Sequence, residues 1–151
     1  MPGEISLRAV TAENWHAVAA LRVAPSQEDL VASNRYSLEE SRTNPDAVPL
    51  AIYLGLEPVG FLMYETLADE GHPHVYSIYR LMIDAAHQGR GHGRMALKAL
   101  LATLRADRAL ERITICYVPE NASAARFYAS LGFRDVGLDE DGEMVAEHHS
   151  P

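Results

Sequence analysis

A single cysteine, Cys116, stands in a chain of 151 residues. No intrachain disulfide is possible, so cysteine pairing says nothing of the redox compartment. The thiol falls in an alternating apolar stretch and reads as a buried, inert side chain. Basic residues are also scarce: 13 Lys and Arg against 21 Asp and Glu leave a formal net charge of −8. That balance argues against a nucleic-acid partner, whose phosphates need a basic surface. It mildly favours a cationic substrate. No apolar run is long enough to span a membrane. The N-terminal M-P-G-E-I-S-L-R lacks an apolar signal region, which makes a cytoplasmic protein the default reading. The histidines His16, His72, His74, His87, His92, His148 and His149 are scattered. None forms a helical pair four residues apart or a cluster with cysteine, so no metal is expected. Repeats, low-complexity tracts and linkers are missing. What is present is 48% hydrophobic and 23% charged residues, the composition of a soluble globular protein. The length suits one domain over residues 1–151 with its own core.

The chain is organised around Tyr79 to Leu104, which reads as strand, glycine-rich turn and helix. Leu81, Met82 and Ile83 close an apolar strand. Gln88-Gly89-Arg90-Gly91-His92-Gly93 follows, with glycine at alternate positions. Ala96, Leu97, Leu100, Leu101 and Leu104 then recur at helical spacing and share one face. Glycines let the backbone turn sharply and leave its N–H groups uncovered. At a helix N-terminus those groups have no intrahelical partner and the dipole favours an anion, which makes a phosphate cradle. The dinucleotide fingerprint fails here, because its third glycine would fall on Arg94, and the Gly-Lys-Ser/Thr of a P-loop does not occur in the turn.

Around this centre, Ile5 to Val10 reads as a first strand, followed by a helix carrying Trp15, Val18, Ala19 and Leu21 with Thr11 as N-cap. Pro25-Ser26 breaks it, and Ser26 can cap a second helix through Gln27, Glu28, Asp29, Leu30 and Val31. Ser37-Leu38-Glu39-Glu40 has the form of a capping box and predicts a further short helix, stopped at Asn44-Pro45. Val48 to Leu54 and Val59 to Glu65 read as a hairpin, Thr66 to Pro73 as a loop, and His74 to Asp84 as the strand feeding the glycine turn. Arg112 to Val118 alternates as another strand, and Phe133 to Leu138 with Glu143 to His148 as a closing hairpin. The order β-α-α-β-β-β-α-β-α-β-β predicts an α/β fold with a mixed, mostly antiparallel central sheet flanked by helices.

Two motifs carry a family resemblance. Gln88, Gly91 and Gly93 fill the pattern Gln/Arg-x-x-Gly-x-Gly/Ala. Downstream, Asn121, Ala124, Tyr128, Gly132 and Phe133 fill Asn-x-x-Ala-x-x-x-Tyr-x-x-x-Gly-Phe. Together they resemble the GNAT superfamily of N-acetyltransferases, whose fold agrees with the predicted order. The resemblance implies acetyl transfer from acetyl-CoA to an amine, and favours a homodimer. Backbone groups at Leu81, Met82 and Ile83 would pair with the pantetheine amides as an added strand does. Ile83 N–H would meet the thioester oxygen. The pyrophosphate would sit on the N–H groups of Gln88, Gly89, Arg90, Gly91, His92, Gly93 and Arg94, with Arg90 and Arg94 adding charge. Asn121 would bond the pantetheine or cap the following helix. Tyr128 would be the general acid for the departing thiolate, since a phenol of pKa ~10 keeps its proton at pH 7.

Many GNAT enzymes place a glutamate base on the fourth strand, and Ser77 stands at that position here. Tyr76, Tyr79, Glu65 and Glu28 are the fallbacks, and the base stays unassigned. The segments Gln27 to Val31 and Ser33 to Leu38, with Arg80 to Asp84 and Gly142 to Val145, look like the bacterial spermine/spermidine acetyltransferase subgroup. This makes Glu28, Asn34 and Tyr36 the candidate acceptor-binding residues and a small-molecule polyamine the leading substrate, because each remaining ammonium needs a counter-charge. The alternatives are a peptide or protein N-acetyltransferase and a non-catalytic CoA-binding sensor.

Overall fold

The computed structural model of the chain describes residues 4–30 and 32–148. Val31, at the end of the expected second helix, and His149 lie outside the described residues. The elements run β1 (Ile5–Ala9), α1 (Trp15–Ala20), α2 (Asn34–Ser41), β2 (Ala47–Leu54), β3 (Glu57–Leu67) and β4 (His72–Ile83). Then come α3 (His92–Arg105), β5 (Arg112–Tyr117), α4 (Ala122–Ser130), β6 (Phe133–Leu138) and β7 (Met144–His148). The strands make one seven-stranded sheet in the order β1-β2-β3-β4-β5-β7-β6. Every neighbouring pair is antiparallel except β4 with β5. The predicted mixed, mostly antiparallel α/β fold is therefore the observed one.

Strand alternation divides the core between two faces of the sheet. On one face Ala51, Tyr53, Phe61 and Met63 pack with Val18 of α1 and Leu38 of α2. On the other, Ile52, Leu62, Ile78, Ile113 and Ile115 meet the apolar stripe of α3, Ala96, Leu97, Leu100, Leu101 and Leu104. All five of those α3 residues are buried, as the helical spacing requires.

Two features of β4 position the site. Tyr64 pairs with Ile78 and Met63 with Arg80, so Tyr79 is an extra residue, a β-bulge. A bulge bends its strand and increases the local twist. On its other side β4 pairs with β5 only from Val75↔Arg112 to Ile78↔Ile115, although the strands continue to Ile83 and Tyr117. The two strands thus part at the bulge. At the far end of the gap, Gly60 of β3 faces Ile83. A Cβ on Gly60 would stand 2.6 Å from the Met82 carbonyl oxygen and 2.8 Å from Ile83 Cδ1. Glycine is what lets β3 and the end of β4 approach this closely.

Local expectations fail where distant partners intervene. The segment after α1 forms a 3₁₀ turn, Pro25–Gln27, and not the helix expected from Ser26. The short helix α2 is capped by Ser33, whose Oγ accepts from Tyr36 N–H at 3.1 Å, and it contains Ser37 in its interior. Ser37 is fully buried, and its Oγ accepts from Arg80 Nε at 3.0 Å, so it is taken by tertiary structure. Asn14, not Thr11, occupies the N-cap of α1, and its side chain bonds the Ala9 carbonyl and the Tyr53 hydroxyl. Half of the expected Thr66–Pro73 loop is strand, and β3 and β4 are joined through a 3₁₀ turn at Ala68–Glu70 and Gly71. Asp84 lies beyond β4 and caps a 3₁₀ turn at Ala85–His87, with Oδ2 accepting from Ala86 N–H.

Candidate active site

A cavity of about 960 Å³ fills the gap between β4 and β5 and continues to the start of α3. Its floor is the parted strands, Tyr79 to Ile83 on one side and Ile115 to Val118 on the other. One end is the glycine turn. Gly89 and Gly91 have φ of +78° and +81°, the left-handed region that glycine enters without a Cβ penalty. Gly91 is the N-cap of α3, and the first intrahelical bond runs from Met95 N–H to its carbonyl. The N–H groups of His92, Gly93 and Arg94 precede that bond and so lack intrahelical acceptors. A Cβ at Gly91 would meet nothing within 4 Å, so the space over this helix end is open. It is a cradle in which backbone N–H groups and the helix dipole favour an anion.

Most of the residues expected at the cofactor come together here. Leu81, Met82, Ile83, Gln88, Gly89, Gly91, His92, Gly93, Arg94 and Asn121 line the cavity. Arg90 does not, and its side chain is exposed. Arg94 reaches toward α4: Nη2 donates to Ser130 Oγ at 2.7 Å and the guanidinium lies 5.4 Å from the Phe127 ring centre. Asn121 caps α4, its Oδ1 accepting from Ala124 N–H at 3.1 Å.

Tyr128, on α4, lines the cavity from below and is only 8% exposed. Its ring sits among Tyr117, Phe127 and Phe133, with centroids 5.7, 5.5 and 6.0 Å away. The hydroxyl has no hydrogen-bond partner among the described residues. Burial, then the neighbouring Cys116 and Tyr117, push its pKa well above the usual phenol value. The phenol therefore holds its proton at any working pH.

The acceptor side departs from expectation. Asn34 is buried, with Nδ2 donating to the Val18 carbonyl at 2.9 Å, and serves the fold between α1 and α2. Glu28 and Tyr36 are exposed and do not line the cavity. The carboxylates that do are Asp29, in the segment after α1, and Glu143, just before β7. Glu143 is placed by the turn at Asp139, whose Oδ1 accepts from Glu143 N–H at 2.9 Å. Sequence reasoning passed over both as site residues, though the run Glu28-Asp29 and the stretch Gly142 to Val145 had marked the neighbourhoods. Arg80 also lines the cavity but is engaged by Ser37 Oγ, the Tyr79 carbonyl and, at 3.7 Å, Glu40.

Cys116 lines the cavity and is half-buried, not enclosed as expected. Burial and then Asp139 and Glu143 raise its pKa to about 11, so it remains a neutral thiol. Of the fallback bases, Tyr76 donates to Asp107 at 2.7 Å and does not line the cavity, and Glu65 is bonded to Asn44 at 2.6 Å. Ser77 does not line it either. Tyr79 does, but burial, Glu65 and Glu40 raise its pKa to about 12, too high for a base that must be deprotonated near neutrality. Among the described residues there is no group of three or more His, Cys, Asp or Glu that could hold a metal ion, and no helix is long and apolar enough to cross a membrane.

Parted central strands running into a helix-capped glycine cradle define an acetyltransferase architecture, and the family match agrees. Residues 10–133 match the acetyltransferase (GNAT) family, and this chain belongs to it as an acyl-CoA-dependent N-acetyltransferase. It is 33% identical over 146 residues, 93% of this chain and 95% of the relative, to the spermine/spermidine N(1)-acetyltransferase of Bacillus subtilis strain 168. In fold it is similar to an acetyltransferase from Thermus thermophilus, with a TM-score of 0.78, 25% identity and coverage of 98% of this chain and 99% of that one. AAC(6')-Ib in complex with ribostamycin and coenzyme A also has a TM-score of 0.78, over 95% of this chain and 92% of that one. At 20% identity that likeness concerns the fold alone.

Proposed function

We propose that this enzyme acetylates a primary amine of a small polycation, spermidine or spermine in the leading case, with Tyr128 as general acid. The observation that carries the reading is the composition of one cavity. It joins an anion cradle at the start of α3 to a neutral phenol without a hydrogen-bond partner among the described residues, with two carboxylates on its walls. The cradle fits the pyrophosphate of acetyl-CoA, because its N–H groups are uncovered and the space above them is open. Acetyl-CoA supplies the activated acetyl group. In transfer, the acceptor nitrogen forms the new bond to the acetyl carbon as the bond to sulfur breaks, and Tyr128 gives its proton to the departing sulfur. The raised pKa makes the resulting phenolate a strong base, and the proton shed by the nitrogen restores it.

Asp29 and Glu143 are suited to the ammonium groups that are not acetylated, which must keep counter-charges inside the cavity. The 33% identity to a spermine/spermidine acetyltransferase supports the same substrate class. The test is kcat/KM for spermidine, spermine, amino acids, aminoglycosides and a lysine peptide. Spermidine or spermine should rank first. Asp29→Asn and Glu143→Gln should each raise their KM about tenfold, the loss of roughly one charge-assisted contact. A preference for the peptide, or KM values indifferent to both substitutions, would refute the reading.

A further inference from the structure

A chain of hydrogen bonds crosses the cavity's rim and takes no part in the chemistry above. Ala24 N–H donates to Gln27 Oε1 at 3.1 Å. Gln88 Nε2 donates to the same oxygen at 2.9 Å and to the Ile83 carbonyl at 2.9 Å. The polarity is fixed at both ends, since a backbone N–H can only donate and a backbone carbonyl can only accept. Gln27 must therefore present its oxygen and Gln88 its amino group. Turning either amide over would set two donors or two acceptors face to face. A second clasp lies alongside: Arg22 N–H donates to Asp84 Oδ1 at 2.9 Å, and Ala85 N–H to the Arg22 carbonyl at 2.8 Å.

The two ends of this chain belong to different segments of the cavity lining. Val23, Gln27, Asp29 and Leu30 line the cavity from the segment after α1, whose described residues include one 3₁₀ turn, Pro25–Gln27. Ile83 and Gln88 line it from the end of β4 and the start of the glycine turn. Gln88 is thus both the first residue of the cradle and the donor that holds Gln27.

We propose that Gln27 is a positioning residue for the acceptor amine. It fixes the wall carrying Asp29 against the glycine turn, so that amine recognition depends on the state of that turn. A phosphate group that orders the turn orders Gln88, and through Gln88 the acceptor wall. By linkage, what cofactor binding does for the wall, the amine returns to the cofactor. This rests on the reading above that the acceptor lies against the segment Val23 to Leu30.

Three substitutions separate the bridge from the bulk of the side chain. Gln27→Met keeps the length without an acceptor, Gln27→Ala removes both, and Gln27→Glu keeps an oxygen for both donors. Spermidine KM and kcat, acetyl-CoA Kd, and amide hydrogen exchange over residues 22–30 with and without CoA are measured for each. The Met and Ala variants should raise spermidine KM about tenfold, with kcat within about twofold of the parent and acetyl-CoA Kd weakened by clearly less than KM, the share that linkage returns to the cofactor. The Glu variant should keep the parent KM. CoA should slow exchange over residues 22–30 in the parent and the Glu variant only. Unchanged KM in the Met and Ala variants, or an equal rise in the Glu variant, overturns the proposal. So does acetyl-CoA Kd weakening in step with KM, which would make Gln27 a cofactor residue alone. Loss of folding in both the Met and Ala variants also overturns it, because the bridge would then hold the fold. If the polyamine reading is what fails, the parent will not turn over spermidine, while the exchange pattern still decides the role of Gln27.

Discussion

Replacing Tyr128 by Phe removes one oxygen and leaves the aromatic cluster in place. The ring contacts with Tyr117, Phe127 and Phe133, at 5.5–6.0 Å between centroids, are all made by carbon. The lost hydroxyl has no hydrogen-bond partner among the described residues, so none of their hydrogen bonds is broken. The change in stability is therefore expected to stay within about 1 kcal/mol, or ~2–4 °C in Tm for a domain of this size. Turnover should behave differently. A positioned general acid contributes roughly 10²–10⁴-fold, about 2.7–5.5 kcal/mol of barrier. Acetyl-CoA Kd should change by less than about fivefold, the equivalent of one net hydrogen bond. The assay is single-turnover release of CoA thiol with saturating amine, alongside calorimetric Kd and a thermal melt. A kcat lowered a hundredfold with Kd and Tm nearly unmoved marks an interaction made in the transition state. A kcat within twofold of the parent would make Tyr128 a core residue and refute the assignment. The raised pKa adds a check on stability: the folded state keeps this proton above pH 10 where the unfolded chain loses it. Its contribution is thus present below about pH 10 and declines as pH rises beyond that.

Gly60→Ala should lower Tm by roughly 2–12 °C, because a Cβ 2.6 Å from the Met82 carbonyl oxygen costs about 1–3 kcal/mol of strain. It should also weaken acetyl-CoA binding, read by calorimetry, since relief requires moving the end of β4. Asp107 accepts from Tyr76 at 2.7 Å and lies 2.8 Å from His74 Nδ1, and these contacts hold its pKa at about 2. Its contribution is present above the ordinary carboxylate pKa and is lost as pH falls toward 2, so Asp107→Asn should flatten the fall of Tm between about pH 4 and 2. The same bond raises Tyr76 to about 12, and Tyr76→Phe should flatten the loss of stability between about pH 10 and 12.

How much of this was legible in the sequence depended on the range of the cause. The turn from Gln88 to Gly93 and the α3 stripe were readable because glycine placement and helical periodicity are local. The free strand edge at Leu81, Met82 and Ile83, where the pantetheine would pair, came only from the family resemblance. Its local cause, the bulge at Tyr79, is a mismatch of register with Met63 and Tyr64, which no window around Tyr79 contains. Ser37 shows the opposite error. With Glu40 three residues on, it has the form of a helix start, but Arg80 takes its hydroxyl from 43 positions away and the helix begins earlier at Ser33. A capping signal states what a serine can do locally and is silent on a tertiary competitor.

The acceptor wall failed for a geometric reason that also bears on which carboxylates matter. Reading Gln27 to Val31 as a helix at 3.6 residues per turn gave Glu28 no disadvantage against Asp29. The chain instead makes a 3₁₀ turn at Pro25–Gln27, with Gln27 Oε1 accepting from the N-cap Ala24 N–H. That turn leaves Glu28 outside the cavity and brings Asp29 to it. Glu143 enters from the other end of the sequence through the pairing of β7 with β5, where Met144 lies opposite Tyr117 beside the gap. One carboxylate is thus carried by the segment that Gln88 clasps, and the other by the turn that leads into β7. Charge removal at Asp29 should therefore be felt together with substitution at Gln27, since both act through one wall. Glu143→Gln should add to either independently. A double-mutant cycle on spermidine KM distinguishes the cases: coupling between Gln27→Met and Asp29→Asn, with additivity between Gln27→Met and Glu143→Gln, is expected. Additivity in both pairs would mean that Asp29 does not depend on the clasp, and the wall would then be fixed by the Arg22–Asp84 contact alone.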